Sequence, residues 1–533
     1  MKILFLTRHF GCLRNFEQPI FFFVRAGHCV HLAAHQDDVL GGQAMVERWA
    51  AGEPGITFER VPDLPVSPFD DLATRLSLVV DYLRYLEPAY ATSSGLFRRS
   101  YKRTPRWILR VTRSGRGRAR VIRRIITVIL LTLERVLPRN PGVDAFITAR
   151  APDLVLITPL LALGSVEMDY LDAARTLGLP TVFCVWSWDN LSSKARLRTL
   201  PEMVTVWNET QKQEAVTLHS VPPCRVVVTG AQSFDQWFEW NAGRGRAEFC
   251  RYVGVPDERP FLLWVCSALL HGSPPEAPFV RQWLARLRAS GDPALREVSV
   301  LIRPHPARLK EWDEIDLDGL GPVSVWGANP TDAEARSDYF ESLSYAAAVA
   351  GLNTSAFLEA AIVGRPVYTV LLPENFDNQE GTLHFGYLMD VGGGLLNAAR
   401  SWDQHLDDLS QALTRPEGLP DERSQRFVDA FIRPYGRDVR ATDRFVEAVE
   451  QVAARPVGPR LKLPIWAPLG RVVLSGLRLL MKRRMFMDWW LSPSKYTKQV
   501  AIRRKRAAKD RARDLVQFAG AQATRSGQPR NKV

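Results

Sequence analysis

Residues 350–370 read AGLNTSAFLEAAIVGRPVYTV. An apolar run leads into three small polar residues, Asn353, Thr354 and Ser355. Good helix formers follow, with Glu359 among them, and Gly364 ends the pattern. Arg365-Pro366 then opens a second apolar run. A strand, a helix and a strand in such quick succession form a parallel crossover unit. The start of such a helix carries unpaired N–H groups and a partial positive charge, which suits a phosphate. The three small residues leave room and add hydroxyl donors, while Glu359 offers a carboxylate to a ribose. The same three residues also suit a plain helix cap.

The rest of the chain repeats this alternation. KILFLT, HCVHLAA, ITFERV, PDLVLITP (152–159), TVFCVW (181–186), MVTVW (203–207) and RVVVT (225–229) read as strands with helical segments between most of them. FLLWVCS, VSVLIRP, PVSVW, AAVAGLN and PVYTVLL form a second series from near Arg259. Continuous apolar strands separated by helices mean a parallel sheet covered on both faces. The expected fold class is therefore α/β, with two doubly wound Rossmann-like domains. Residues 1–230 make the first, and 231–455 the second, completed by helical patterns from Trp402 to Ala454. A helical, basic insertion occupies about 70–145, and 456–533 form a basic amphipathic extension with a frayed tail.

The six cysteines are scattered without a C-x-x-C, which fits a reducing cytosol and argues against a zinc site or disulfide framework. After Lys2 the start reads as a buried strand rather than a signal h-region, so the expected location is cytoplasmic. The net charge of +13 is unevenly placed. Arg98 to Arg124 hold twelve basic residues and no acid, and Arg455 to Val533 carry a net +17. Taking these two stretches away leaves the body at −16. Local basic patches on an acidic body point to a polyanionic surface.

Several loops fall at the carboxyl ends of strands, where doubly wound domains bind ligands. Arg303-Pro304-His305-Pro306 is stiffened by two prolines and brings one cation and one titratable donor, to neutralise a phosphate and to assist a leaving group. Ser267 and His271 belong to the loop after FLLWVC. Gln379, Gly381, Thr382 and His384 follow PVYTVLL, although His384 is equally readable as a core histidine. In the first domain, residues 7–15 (TRHFGCLRN) join the first strand to the first helix, where an acceptor or a phosphate belongs, but without G-x-G-x-x-G. Trp186 to Lys194 place two tryptophans beside Asp189 and Asn190, a surface suited to a sugar or polyol or simply to packing between domains. Asp189 is the candidate general base. Asp316-Leu317-Asp318 has the D-x-D form of some metal-dependent enzymes, but it lies in an acidic loop and reads as solvated. No metal ligand is assigned.

In APLGRVVLSGLRLLMK, polar Arg471, Ser475, Arg478 and Lys482 make one narrow stripe on an otherwise apolar helix. Met485, Phe486, Met487, Trp489 and Trp490 follow, then the basic cluster at 503–506. This pattern suits a membrane interface. IITVILLTL after the arginine run is too short to span. The expectation is peripheral attachment to the inner leaflet through residues 98–133 and 461–506. Nucleic acid is disfavoured because stacking aromatics do not alternate with the arginines. A helix docked on the core remains the alternative.

Two doubly wound domains, the R-P-H-P loop, and the small-polar helix start with Glu359 together resemble the GT-B fold. Residues 225–455 resemble the group of CDP-glycerol glycerophosphotransferases, capsular polysaccharide transferases and UDP-N-acetylglucosamine 2-epimerases. Phe431-Ile432-Arg433-Pro434-Tyr435-Gly436 is similar to that group as well. The resemblance implies a nucleotide-diphosphate donor in the second domain and an acceptor in the first. Ser355 and the helix start would then hold the diphosphate, and Glu359 the ribose. It implies a metal-independent glycosyltransferase with a nucleotide sugar as substrate and no further cofactor, acting on a cell-envelope or polysaccharide acceptor. The glycerophosphotransferases carry a more acidic loop at Asn353–Ser355, which weakens glycerol phosphate as the transferred group. A CDP-glycerol-type polyol phosphate transferase, a UDP-sugar 2-epimerase and a non-catalytic GT-B scaffold that binds an envelope polymer or partner are the other expectations.

Overall fold

The computed structural model describes residues 1–498 apart from 39–40, 65, 114–119, 165–166, 271–272, 328, 331, 417–418, 457, 484–487, 489 and 496. The chain forms two compact units, one of Met1–Asp70, Arg84–Phe97 and Pro138–Ile465, the other of Asp71–Leu83, Arg98–Leu137 and Trp466 onward.

The first unit holds two parallel sheets. In one, β1 (Lys2–Thr7), β2 (Cys29–Ala34), β3 (Ile56–Arg60), β4 (Leu154–Thr158), β5 (Thr181–Cys184), β6 (Met203–Val206) and β7 (Val226–Val228) lie in the order β3-β2-β1-β4-β5-β6-β7. In the other, β8 (Phe261–Val265), β9 (Ser299–Arg303), β10 (Val323–Val325), β11 (Ala348–Gly351), β12 (Val367–Val370) and β13 (Leu396–Ala399) lie in the order β10-β9-β8-β11-β12-β13. Every described pairing is parallel. The inner strands β4, β5, β6, β8, β9, β11 and β12 are buried at every residue, because helices cover both faces. Chain order reverses between β1 and β4 and again between β8 and β11. These are the two switch points where loops diverge and leave a crevice.

The helices read as completing the second domain divide between the two sheets. Helix Trp402–Leu413 brings Leu409 and Ala412 into the core cluster that holds Leu262, Trp264 and Ala350 of the second sheet. Helix Ala441–Ala454 crosses back, and Phe445 and Val449 join Phe16 and Phe23 on the first sheet. The crossing is fastened by Asp235. Its carboxylate accepts from Ala441 N at 3.1 Å and Thr442 N at 2.7 Å, capping that helix, and pairs with Arg433 at 2.7 Å. Asn208 adds a bond to the Phe431 carbonyl at 2.8 Å. The F-I-R-P-Y-G motif is thus the fastening of the return crossing.

The second unit is helical. Tyr82 meets Thr112 at 3.2 Å, Trp107 packs on Trp490, and Arg471 donates to the Val136 carbonyl at 3.3 Å. Helix Ala467–Lys482 buries only Ala467, Gly470, Leu474 and Met481. Leu469, Val472, Val473, Leu479 and Leu480 are exposed. Helix Arg120–Glu134 likewise exposes Val121, Ile125, Val128 and Ile129, at i, i+4, i+7 and i+8. Among the described residues no helix is long and apolar enough to cross a membrane. Met485, Phe486, Met487, Trp489 and the cluster at 503–506 lie outside the described residues.

Candidate functional site

Register brings the second-domain candidates together. Val265 pairs with both Arg303 and Gly351, so β8, β9 and β11 end at one level. Ser267, His305 and Asn353 follow directly from these ends, at the switch point. Ser267 Oγ accepts from Asn353 N at 3.1 Å and ties the two loops. Ser355 is exposed and makes no side-chain cap bond, and Thr354 Oγ1 accepts only a long bond, 3.4 Å, from Ala356 N. Capping therefore explains little of this Asn-Thr-Ser stretch.

His305 Nδ1 accepts from Ala307 N at 3.2 Å, so the proton of the neutral ring sits on Nε2. Burial, with help from Arg14 and Arg308, lowers its pKa. His305 is thereby a neutral donor near pH 7, suited to a phosphate oxygen rather than to taking a proton.

Arg303 is buried on the faces of Tyr339 and Trp326, at 4.6 and 5.4 Å from the ring centres. Gly327 covers it. A Cβ there would lie 2.7 Å from Arg303 Cζ, and the φ of +126° also selects glycine. Tyr339 donates its hydroxyl proton to Glu359. Burial pushes Glu359 up to about 7, against that hydrogen bond and the charges of Arg14 and Arg303. Arg14 comes from the loop after β1, on the first domain. It is exposed, makes no ion pair among the described residues, and acts on His305, Tyr339 and Glu359.

Other candidates hold the loops. Gln379 Nε2 lies 3.0–3.2 Å from Thr369 Oγ1 and the carbonyls of Leu352 and Val370, so it ties the ends of β11 and β12. Thr382 bonds the Gln379 carbonyl at 2.8 Å. A Cβ on Gly381 would lie 2.7 Å from the Phe376 carbonyl oxygen. Close packing, rather than ligand contact, explains these three residues. His384 stands between domains: Nε2 is 3.5 Å from Asn353 Nδ2, and its ring meets Trp188 edge-on at 4.8 Å. His271 lies outside the described residues.

Asp189 accepts from Ser187 at 2.6 Å and Ser193 at 2.7 Å, and pairs with Lys194 at 2.8 Å. Burial opposes its charge, yet Lys194 and His384 hold its carboxyl well below the usual carboxylate range. An anion so stabilised is a weak proton acceptor. The structure thus removes the physical case for Asp189 as general base and leaves it as the anchor of its loop. Two residues unmarked by sequence reasoning steady the same loop. Arg84 donates to the carbonyls of Leu191 and Lys194, and Tyr85 to those of Ser193 and Lys194. Asp316 and Asp318 are exposed, with Asp316 Oδ1 accepting from Asp318 N at 2.9 Å. No cluster of His, Cys, Asp or Glu fit for a metal occurs among the described residues.

No protein-family model and no curated protein sequence matches the chain. Solved structures do resemble it. A UDP-GlcNAc 2-epimerase from Methanocaldococcus jannaschii, in complex with UDP-GlcNAc and UDP, is 10% identical at a TM-score of 0.48, covering 85% of this chain and 100% of its own. A glycosyltransferase from Rickettsia africae is 9% identical at 0.49, covering 85% and 99%. Acinetobacter baumannii MurG is 12% identical at 0.42, covering 84% and 99%. At these identities and TM-scores the likenesses carry no argument about this chain. Two parallel doubly wound sheets, each with its switch point, and a last helix returning to the first sheet give this chain the GT-B fold.

Proposed function

We propose that the protein transfers a sugar from a nucleotide-diphosphate donor to an acceptor of the cell envelope or of a polysaccharide. One observation carries the reading: Ser267, His305, Asn353 and the Arg303–Tyr339–Glu359 cluster gather at the second switch point, with Arg14 of the first domain acting on the same groups. Donor hydrogens from His305 Nε2 and Ser355, with the charge of Arg14, would stabilise a departing nucleoside diphosphate, which is an electrostatic task. Glu359, when ionised, would accept from ribose hydroxyls. Calorimetric titration with UDP, GDP and CDP tests this reading. Binding of one of them supports it, and binding of none favours a scaffold. Product analysis with the bound donor then separates transfer to an acceptor from epimerisation.

The same protein would work at the surface of an anionic membrane. The support is the reversed polarity of helix Ala467–Lys482, whose exposed side is apolar, together with the exposed stripe of helix Arg120–Glu134 and the basic residues around both. A soluble helix places that stripe against its core. Exposed apolar residues flanked by arginine and lysine suit the lipid interface.

A further inference from the structure

We propose that Arg8, His35 and Glu167 form a buried hydroxyl-binding site in the first domain, where His35 Nε2 takes the proton of the acceptor hydroxyl. The identification of the hydroxyl as an acceptor rests on the transferase reading. The site itself rests on geometry.

Thr7 pairs with Ala34 on one side and Thr158 on the other, so β2, β1 and β4 end at one level. Arg8 and His35 are the next residues after β1 and β2. Glu167 opens the helix that follows β4. The three therefore meet at the first sheet's switch point, the counterpart of the place that holds Ser267 and Asn353 in the second.

Their hydrogen bonds are incomplete in a patterned way. Arg8 Nε donates to Glu167 Oε1 at 2.5 Å. His35 Nδ1 lies 3.0 Å from the Thr7 carbonyl oxygen, which can only accept, so Nδ1 carries the proton and Nε2 is a bare lone pair. That lone pair faces Glu167 Oε1 at 3.7 Å. Arg8 Nη2, His35 Nε2 and Glu167 Oε2 are buried and have no hydrogen-bond partner among the described residues. The side chains of His35 and Glu167 are 8% and 3% exposed. One buried donor and two buried acceptors in one place cost free energy unless a group with both functions joins them. A pair of neighbouring hydroxyls does so: one hydrogen goes to Nε2, the other to Oε2, and an oxygen accepts from Arg8 Nη2. A phosphate or carboxylate offers no hydrogen to either acceptor. The ligand class is thus a neutral polyhydroxy compound, such as a saccharide.

His35 differs from His305 in the way the reaction needs. His305 has its proton on the nitrogen free to meet ligand, whereas His35 has a lone pair there. Burial lowers the pKa of His35 against the pull of Glu167 and Thr7, so it is neutral near pH 7. In the transfer step the acceptor O–H proton passes to His35 Nε2. The oxygen lone pair forms the bond to the anomeric carbon, and the electrons of the broken bond leave on the nucleoside diphosphate.

Histidine-selective 15N NMR of the full chain tests the site, with His35→Asn used to assign the resonance. Asparagine keeps a donor for the Thr7 carbonyl but removes Nε2. The expected result is an Nδ1–H tautomer whose Nε2 signal moves on adding glycerol or N-acetylglucosamine, and does not move in Glu167→Gln. An Nε2–H tautomer, or a signal indifferent to both compounds, overturns the site. Calorimetry with UDP, GDP and CDP reports separately on the transferase reading, and its failure would leave the NMR result standing. With a nucleotide sugar of whichever base binds, His35→Asn should slow turnover at saturating donor at least about 100-fold while nucleotide affinity holds. Turnover within roughly threefold of the parent protein would overturn the role of His35 as base.

Discussion

Replacing Leu469 and Val472 together by glutamate should detach the protein from anionic vesicles without unfolding it. These side chains are 69% and 68% exposed, so each already presents most of its apolar surface to solvent. Fully burying a leucine or valine is worth about 1.5–3 kcal/mol. The exposed share of the pair therefore amounts to roughly 2–4 kcal/mol on full immersion, and about half that at an interface. Since 1.4 kcal/mol is tenfold in an equilibrium constant, vesicle affinity should fall about five- to thirtyfold, before counting repulsion between the new carboxylates and the lipid headgroups. Folding should be spared, because exposed substitutions usually stay within about 0.5 kcal/mol. The assay is co-sedimentation with phosphatidylcholine vesicles, with and without phosphatidylglycerol, alongside a melting curve. The parent protein should bind only the anionic vesicles, and increasingly less as salt rises. Equal binding by parent and variant at matched melting temperatures would refute the reasoning, as would a parent protein that ignores both kinds of vesicle.

Glu359 gives a pH-dependent prediction. Its pKa in the fold, about 7, stands above the ordinary 4.5, so its contribution to stability is full at low pH and is lost as pH rises through 7. Glu359→Gln should then match the parent near pH 4 and exceed it at pH 8 by up to about 3 kcal/mol, while weakening nucleotide binding. Denaturant titrations at the two pH values check the first part and calorimetry the second. Gly327→Ala should push Arg303 off Tyr339 and abolish nucleotide binding, because the new Cβ would lie 2.7 Å from Arg303 Cζ. A nucleotide Kd within about twofold of the parent value would count against the placing of Arg303. Arg84→Met should cost about 3 kcal/mol or more through the loss of buried charge-assisted bonds, and should speed amide exchange at residues 190–194. Hydrogen-exchange mass spectrometry reads that directly.

The parts of this molecule that were legible in its sequence are those written as local patterns. Strand, helix and turn residues alternate along 350–370, and β1 to β12 follow from repeating that pattern, whereas β13, LNAA at 396–399, is too short and too weakly apolar to be read as a strand. The switch-point loops were visible because each follows directly on an apolar run. Helix Ala441–Ala454 was misplaced because an amphipathic face declares that it will be buried, not which sheet will bury it. Phe445 and Val449 would serve either core equally well. What decides is the fastening at Asp235 and Arg433, and neither residue differs by pattern from any surface pair. Arg84 and Tyr85 were invisible for a sharper reason: they bind main-chain carbonyls of residues 191–194, and a carbonyl leaves no mark in a sequence.

The assignment of proton-transfer roles follows the same division. Asp189 looked like a base because an aspartate beside tryptophans at a strand end has the right residue type. Its reactivity depends on Lys194, Ser187, Ser193 and His384, which together stabilise the charge a base would have to give up. His305 and His35 are the same residue type at equivalent strand ends, and only their Nδ1 partners separate them. An amide N–H at one makes Nε2 a donor, and a carbonyl at the other makes Nε2 an acceptor. On the proposed transfer with an external base, the first would face the departing diphosphate and the second the incoming hydroxyl.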